Sequence, residues 1–215
     1  MRLRRKAWAR PELQACPFYI QDPPALRGRW HDAFPRRQPI VLELGCGKGN
    51  FIAHVACQNP DTNYIAIDIK SEVLALTKRS IEKRYLAAGR DIDNIFIMSF
   101  DVERIDLVLL PDDAVSAIYI NFPNPWPKEG HKKHRLTHTR QLLKYREFLA
   151  PDGDLFFKTD DKDLYSDTIT YLEQSGFDIA YMTDSYAGNG GATSEHEDMF
   201  RAKGLSIYYI HSKKT

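Results

Sequence analysis

The chain of 215 residues is poor in cysteine, in net charge and in long apolar runs. Its three cysteines, Cys16, Cys46 and Cys57, form no C-x-x-C pair. That excludes a zinc ribbon or dithiol redox centre and suits a reducing compartment, so a cytoplasmic location is expected. No stretch is apolar for long enough to span a bilayer, which speaks against a membrane protein. The basic N-terminus leads into Pro11, Glu12, Gln14 and Pro17, which leave no signal-peptide core. Internal repeats and low-complexity segments are missing as well. At 43% hydrophobic residues the chain can bury a real core. It reads as one domain over 1–215, with 1–37 as a basic N-terminal arm.

A net charge of +1 excludes a protein that is basic all over, but the charge is unevenly spread. Residues 1–37 hold nine Lys and Arg against three acids, and residues 128–146 hold seven against Glu129, so each segment carries +6. The remainder is therefore acidic. Two basic segments on an acidic body suit a protein that presents one face to a polyanion, although two solvated surfaces would give the same count.

From residue 40 onward short apolar runs alternate with helical patterns, the rhythm of βαβ units around a mainly parallel sheet. Strands are predicted at 40–44, 63–69, 94–98, 115–122, 153–159, 177–183 and 205–211. Helices are predicted near 49–58, 71–88, 138–150, 161–175 and 194–203. Ser71 and Glu72 open the second helix and Gly89 closes it. The last strand lacks a long preceding helix and so returns antiparallel. The expected fold is α/β and Rossmann-like: seven strands, mostly parallel, the last antiparallel, with helices on both faces.

In such sheets the chemistry sits at the carboxyl ends of the strands. The first of these reads Glu43-Leu44-Gly45-Cys46-Gly47-Lys48-Gly49-Asn50. Glycines at alternate positions let the backbone turn sharply and let a ligand lie against the main chain. The third glycine comes too early for a dinucleotide fingerprint, and Gly47-Lys48 is not followed by the Ser or Thr of a P-loop. The E-x-G-x-G-x-G form resembles class I methyltransferases, which implies S-adenosylmethionine as cofactor, with Glu43 beside its cationic part. Gly45, Gly47 and Gly49 would form the cradle. Asp68, closing the second strand, is placed to accept ribose hydroxyls, and Asp101, after the third, to meet the adenine amino group.

The fourth strand ends in Asn121-Phe122-Pro123-Asn124-Pro125-Trp126-Pro127-Lys128, followed by a run through Lys132, Lys133 and Arg135. A proline-stiffened aromatic loop with cations behind it suits a splayed base beside a phosphate backbone, which makes Lys132, Lys133 and Arg135 candidate backbone contacts. His131, His134 and His138 lie among cations without carboxylate partners in the run, so no metal is expected there. Trp8 and Trp30 are either core anchors or stacking platforms, core being the commoner fate.

Taken with Arg2 to Ala9, Phe157-Lys158-Thr159-Asp160, and Ser194 to Glu197 with Phe200, these motifs resemble the bacterial tRNA (guanine-N7-)-methyltransferase family over nearly the whole chain. The resemblance implies methyl transfer to N7 of the variable-loop guanosine, position 46, of tRNA by a monomer or homodimer. It makes Glu43, Asp68, Asp101 and Asn124 cofactor contacts, gives Asn124 the catalytic position, and puts Lys128, Asp160, Ser194 and Glu197 on the RNA substrate. The chain departs from the family at Asn124, commonly Asp; at Ser194, commonly Thr; at His196, commonly aromatic; and at Glu129 and Gly130, commonly basic.

Guanine N7 carries a lone pair and no proton, so attack on the methyl carbon needs no base. Asn124 is therefore read as orienting the acceptor, its carbonyl taking a hydrogen bond from the guanine edge. Ser194 with Glu197 also reads as a helix capping box. Rival readings are a methyltransferase acting on an exocyclic amine or small molecule, and a non-catalytic RNA-binding module. A nicotinamide oxidoreductase is disfavoured by the glycine spacing.

Overall fold

The computed structural model describes residues 6–188 and 193–215. Arg2, Arg4 and Arg5, residues 189–192 of the expected glycine-rich loop, and the side chain of His196 lie outside the described residues. In chain order the elements are α1 (Ala9–Gln14), β1 (Tyr19–Ile20), β2 (Ile40–Leu44), α2 (Asn50–Gln58), β3 (Asn63–Asp68), α3 (Ser71–Ala88) and β4 (Ile95–Ser99). They continue as β5 (Val115–Asn121), α4 (Thr139–Phe148), β6 (Leu149–Thr159), α5 (Lys162–Gln174), β7 (Phe177–Thr183), α6 (Glu195–Ala202) and β8 (Tyr208–Lys214).

The strands form one eight-stranded sheet in the order β1-β4-β3-β2-β5-β6-β8-β7. All neighbours from β1 to β6 pair parallel, whereas β8 runs antiparallel to both β6 and β7. The expected antiparallel return is thus present, and β1 is an additional two-residue edge strand. Ile40, Leu42 and Leu44 of β2 are fully buried, as a strand covered on both faces requires. One core holds these residues with Ile65, Ile118 and Phe157 under α4 and α5. The opposite core packs Val41, Ile52, Ala66, Leu74 and Ile97 beneath α2 and α3. Each buried Leu or Ile contributes about 1.5–3 kcal/mol, so these cores hold the strand ends in place.

From β2 the chain builds outward through β3 and β4 on one side and through β5 and β6 on the other. The loops after β2 and β5 therefore diverge at a topological switch point and leave a crevice between them.

Two local expectations change. Ser71 does not cap α3: Lys70 is the cap residue, its amide donates to Asp68 Oδ1 at 2.9 Å, and Gly89 at φ 63° ends the helix as expected. Nor do residues 6–37 stand off as an arm. Ile20 pairs with Met98, α1 packs on α3, and Trp30 is fully buried, its indole donating to Val108 O at 2.7 Å. The buried Asp113 carboxylate accepts from the amides of Gly28, Trp30 and Leu110, which ties that segment to the body. Trp8 is the surface tryptophan of the pair, with the Arg79 guanidinium 4.3 Å from its ring centre.

Candidate functional site

The glycine loop leaves β2 in three left-handed steps, at Gly45 (φ 78°), Gly47 (φ 56°) and Gly49 (φ 77°). Its underside is pinned. The amides of Gly45 and Cys46 donate to Ile67 O, Thr77 Oγ1 donates to Gly47 O at 2.6 Å, and Ser80 Oγ donates to Lys48 O at 2.8 Å. A Cβ on Gly49 would fall 2.4 Å from Thr77 Cγ2 and 2.9 Å from its Cα, so this glycine lets α2 and α3 approach. A Cβ on Gly47 would meet nothing within 4 Å, so here the main chain faces open space.

Glu43, two residues before the first glycine of the loop, is almost completely buried. Its Oε1 accepts from Asn121 Nδ2 at 3.0 Å, while Oε2 is buried without a hydrogen-bond partner. Burial pushes the carboxyl up to about 8, and Asp68 adds to the rise; Asn121 and Lys158 oppose it. Asp68 is also raised by burial, though its oxygens accept from the amides of Gly47 and Lys70. An unpartnered buried carboxylate oxygen costs about 1–3 kcal/mol, a cost that a bound cationic group removes. Two carboxylates beside an open glycine loop therefore fit a cationic nucleoside cofactor such as S-adenosylmethionine. Asp101, the third expected cofactor residue, caps the 3-10 turn Val102–Leu107, accepting from Glu103 N at 3.0 Å.

The loop after β5 is strained in two places, with positive φ at Phe122 (49°) and Trp126 (44°), values costly for residues bearing a Cβ. Asn124 is exposed between them, and its Oδ1 accepts from Trp126 N at 3.2 Å. The carbonyl expected to read guanine is thus oriented by the loop itself and keeps one acceptor position, and the Nδ2 donors are exposed beside it.

Arg135 is corrected outright. It is 1% exposed, its Nε donates to Pro125 O at 2.7 Å, and its guanidinium is bonded to Asp167. Arg135 therefore braces the proline loop and is not available to phosphate. Lys132 is held between Glu129 (2.9 Å) and Asp167 (3.0 Å). Lys128 and Lys133 are exposed. Trp126 sits against His131 and His134, with ring centres 5.8 and 5.4 Å away. His134 has a carboxylate neighbour that the run itself does not show, its Nδ1 lying 2.6 Å from Glu103 Oε1. Among the described residues no group of three or more His, Cys, Asp or Glu could hold a metal ion.

Asp160 is exposed at the end of β6. Ser194 caps α6, its Oγ accepting from Glu197 N at 3.1 Å, which is the serine half of the expected capping box; the Glu197 carboxylate, which the other half would need, goes to Lys158 and Arg201 instead. The Glu197 carboxylate turns inward: it is 1% exposed, 2.8 Å from Lys158 Nζ and 2.6 Å from Arg201. Two further contacts join α6 to both loops. Lys48 of the glycine loop pairs with Glu195 at 2.9 Å, and Phe122 lies 5.5 Å from Phe200. Asn121 and Lys158 stand in both quoted motifs, yet the sequence alone assigns them no role. Their signal is a polar residue at the inner end of an otherwise apolar strand.

The comparisons agree with this geometry. A family model described as "Putative methyltransferase" matches residues 37–210. The chain is 52% identical to the tRNA (guanine-N(7)-)-methyltransferase of Ruminiclostridium cellulolyticum, over 98% of this chain and 91% of that protein. It is 49% identical to the enzyme of the same name from Clostridium perfringens, over 100% of both. Among solved structures it resembles the 16S rRNA methyltransferase KamB, with TM-score 0.60 and 13% identity over 83% of this chain and 88% of that one. An antibiotic-related methyltransferase gives TM-score 0.58 and 18% identity over 82% and 87%. At such identities these structures speak for the fold alone. The chain belongs to the tRNA (guanine-N(7)-)-methyltransferase family.

Proposed function

We propose that this chain transfers a methyl group from S-adenosylmethionine to N7 of a guanosine in tRNA, and that the acceptor is the variable-loop guanosine at position 46. The observation that carries the donor half is the buried, half-partnered Glu43 at the strand end that leads into the glycine loop, whose Gly47 backbone is open. When bound, S-adenosylmethionine supplies an electrophilic methyl carbon on a cationic sulfur. Glu43 balances positive charge, Asp68 and Asp101 stand at the strand ends where a nucleoside is held, and the glycines admit it to the main chain.

The acceptor half is assigned to the loop after β5. Guanine presents N7 and O6 as neighbouring acceptors on one edge. Asn124, oriented by the bond from Trp126 N, offers Nδ2 donors that suit O6 and leave N7 its lone pair. No group need remove a proton, so the rate comes from alignment of N7, methyl carbon and sulfur. Asp160 and Ser194 flank the acceptor side, and the exposed Lys128 and Lys133 suit the phosphate backbone.

The test is transfer of label from S-adenosylmethionine to unmodified tRNA, followed by alkali and aniline cleavage. Cleavage at one variable-loop guanosine is the expected result. Label without cleavage would place the methyl on another atom, such as an exocyclic amine. Absence of label would reduce the chain to a binding module.

A further inference from the structure

At the end of β6, Lys158 is a buried cation in a place where packing alone requires none. In register it stands between Asn121 of β5 and Tyr209 of β8, with its side chain only 7% exposed. Its Nζ lies 2.8 Å from Glu197 Oε2, 4.7 Å from the ring centre of Tyr186 and 5.7 Å from that of Phe51. The neighbouring Asn121 donates to Glu43, and Lys158 acts electrostatically on Glu43 itself. The ammonium is therefore paired with the buried carboxylate of α6 and linked, through its strand neighbour Asn121, to the buried carboxylate at the end of β2. Burying such a charge costs several kcal/mol unless it is paired, so its position is set by these partners.

The helix it holds has little else to hold it. Glu197 is the buried side chain among the described ones of α6, and Met199 is 40% exposed. Among the contacts of α6 with the body are Phe200 against Phe122, Arg201 bonded to Ala187 O and 5.9 Å from the ring centre of Tyr186, the exposed Lys48–Glu195 pair, and Lys158–Glu197, which is the buried ion pair of the set. Exposed pairs contribute about 0–1 kcal/mol, so the buried one dominates.

We propose that Lys158 is a positioning residue for methyl transfer: its ammonium docks α6 through Glu197 on the acceptor side, and it stands in register beside Asn121, which holds Glu43 on the donor side. This rests on the functional reading above. The groups around Glu43 are Asp68 from β3, Cys46 from the loop, Tyr119 and Asn121 from β5 and Lys158 from β6; those facing Lys158 are Glu197, Tyr186 and Phe51.

Three full-length variants test it: Lys158→Met, Lys158→Arg and Glu197→Gln. Calorimetric affinity for S-adenosylmethionine from pH 6 to 9 is measured beside KM for tRNA. Lys158→Met should weaken cofactor binding about tenfold at pH 7 and move its pH midpoint upward, because Glu43 loses a supporting cation. Lys158→Arg should restore both. Glu197→Gln should raise KM for tRNA about tenfold and change cofactor affinity less than twofold. If Lys158→Met lowers Tm while the cofactor's pH midpoint stays put, the residue is merely structural and the proposal fails. If Glu197→Gln leaves KM for tRNA unchanged, the docking role fails even where Lys158→Met does not fold. A wild-type chain that binds cofactor but does not label tRNA would overturn the functional reading alone, because the cofactor arm needs no RNA.

Discussion

Glu43 is held in a state that suits its ligand better than its fold. In an ordinary carboxyl the proton leaves near 4.5; here burial moves that to about 8. Between those values the folded chain binds more protons than the unfolded one, so the stability of the cofactor-free protein falls as pH rises through that window. Over the whole window the effect is on the order of 5 kcal/mol. Glu43→Gln should remove most of this slope in thermal melts between pH 5 and 8, and should stabilise the protein at pH 8. The same change should weaken S-adenosylmethionine binding tenfold or more. A stabilised variant with unaltered affinity would mean that Glu43 does not face the cofactor. At pH 7 a cation arriving at Glu43 should also expel a proton, which calorimetry in two buffers of different ionisation heat reads directly. Asn124 belongs to the same scale: Asn124→Ala should lower kcat with tRNA saturating, because orientation is lost, and an unchanged kcat would deny it that role.

Among the elements, the glycine loop and the proline loop separate folding from function. Gly49→Ala meets Thr77 backbone at 2.9 Å and should destabilise the fold by about 2 kcal/mol or more. Gly47→Ala meets nothing, should cost only about 1–2 kcal/mol for its positive φ, and should act mainly on cofactor affinity. Melts and binding isotherms of the two variants distinguish a structural from a ligand-facing glycine. Sequence pattern located β2, α3 and β7 to the residue and most other elements to within one or two; for β2 the reason is that a buried parallel strand is an unbroken apolar run bounded by polar ends. It placed β8 three residues early, since Leu205 and Ile207 continue the apolar pattern while Leu205 is in fact exposed. The two-residue β1 is too short to carry any period.

Over the whole molecule, charge was the least legible property. A count along 128–146 shows seven cations and one acid, yet Asp167, Glu103 and Asp106 arrive from other elements to pair with Arg135, Lys132, His134 and Lys144. Linear charge density cannot register partners some 30 residues distant in either direction. The glycine loop, in contrast, was legible because its conformation is local. Arg135→Ala should therefore unfold the proline loop, lowering Tm and catalysis together, without changing the salt slope of tRNA binding. Lys128→Ala and Lys133→Ala should each flatten that slope by about one ion while leaving Tm alone. An altered slope in the Arg135 variant would return it to the RNA surface.

N7 itself is the most direct point of attack on the proposed reaction. A tRNA carrying 7-deazaguanosine at position 46 keeps the base-pairing edge and the fold but replaces the attacking nitrogen with a C–H group. Incubated with labelled S-adenosylmethionine, this tRNA should compete for the enzyme with unmodified tRNA yet accept no methyl group. Incorporation of label into it at a rate near that of the natural tRNA would contradict transfer to guanine N7.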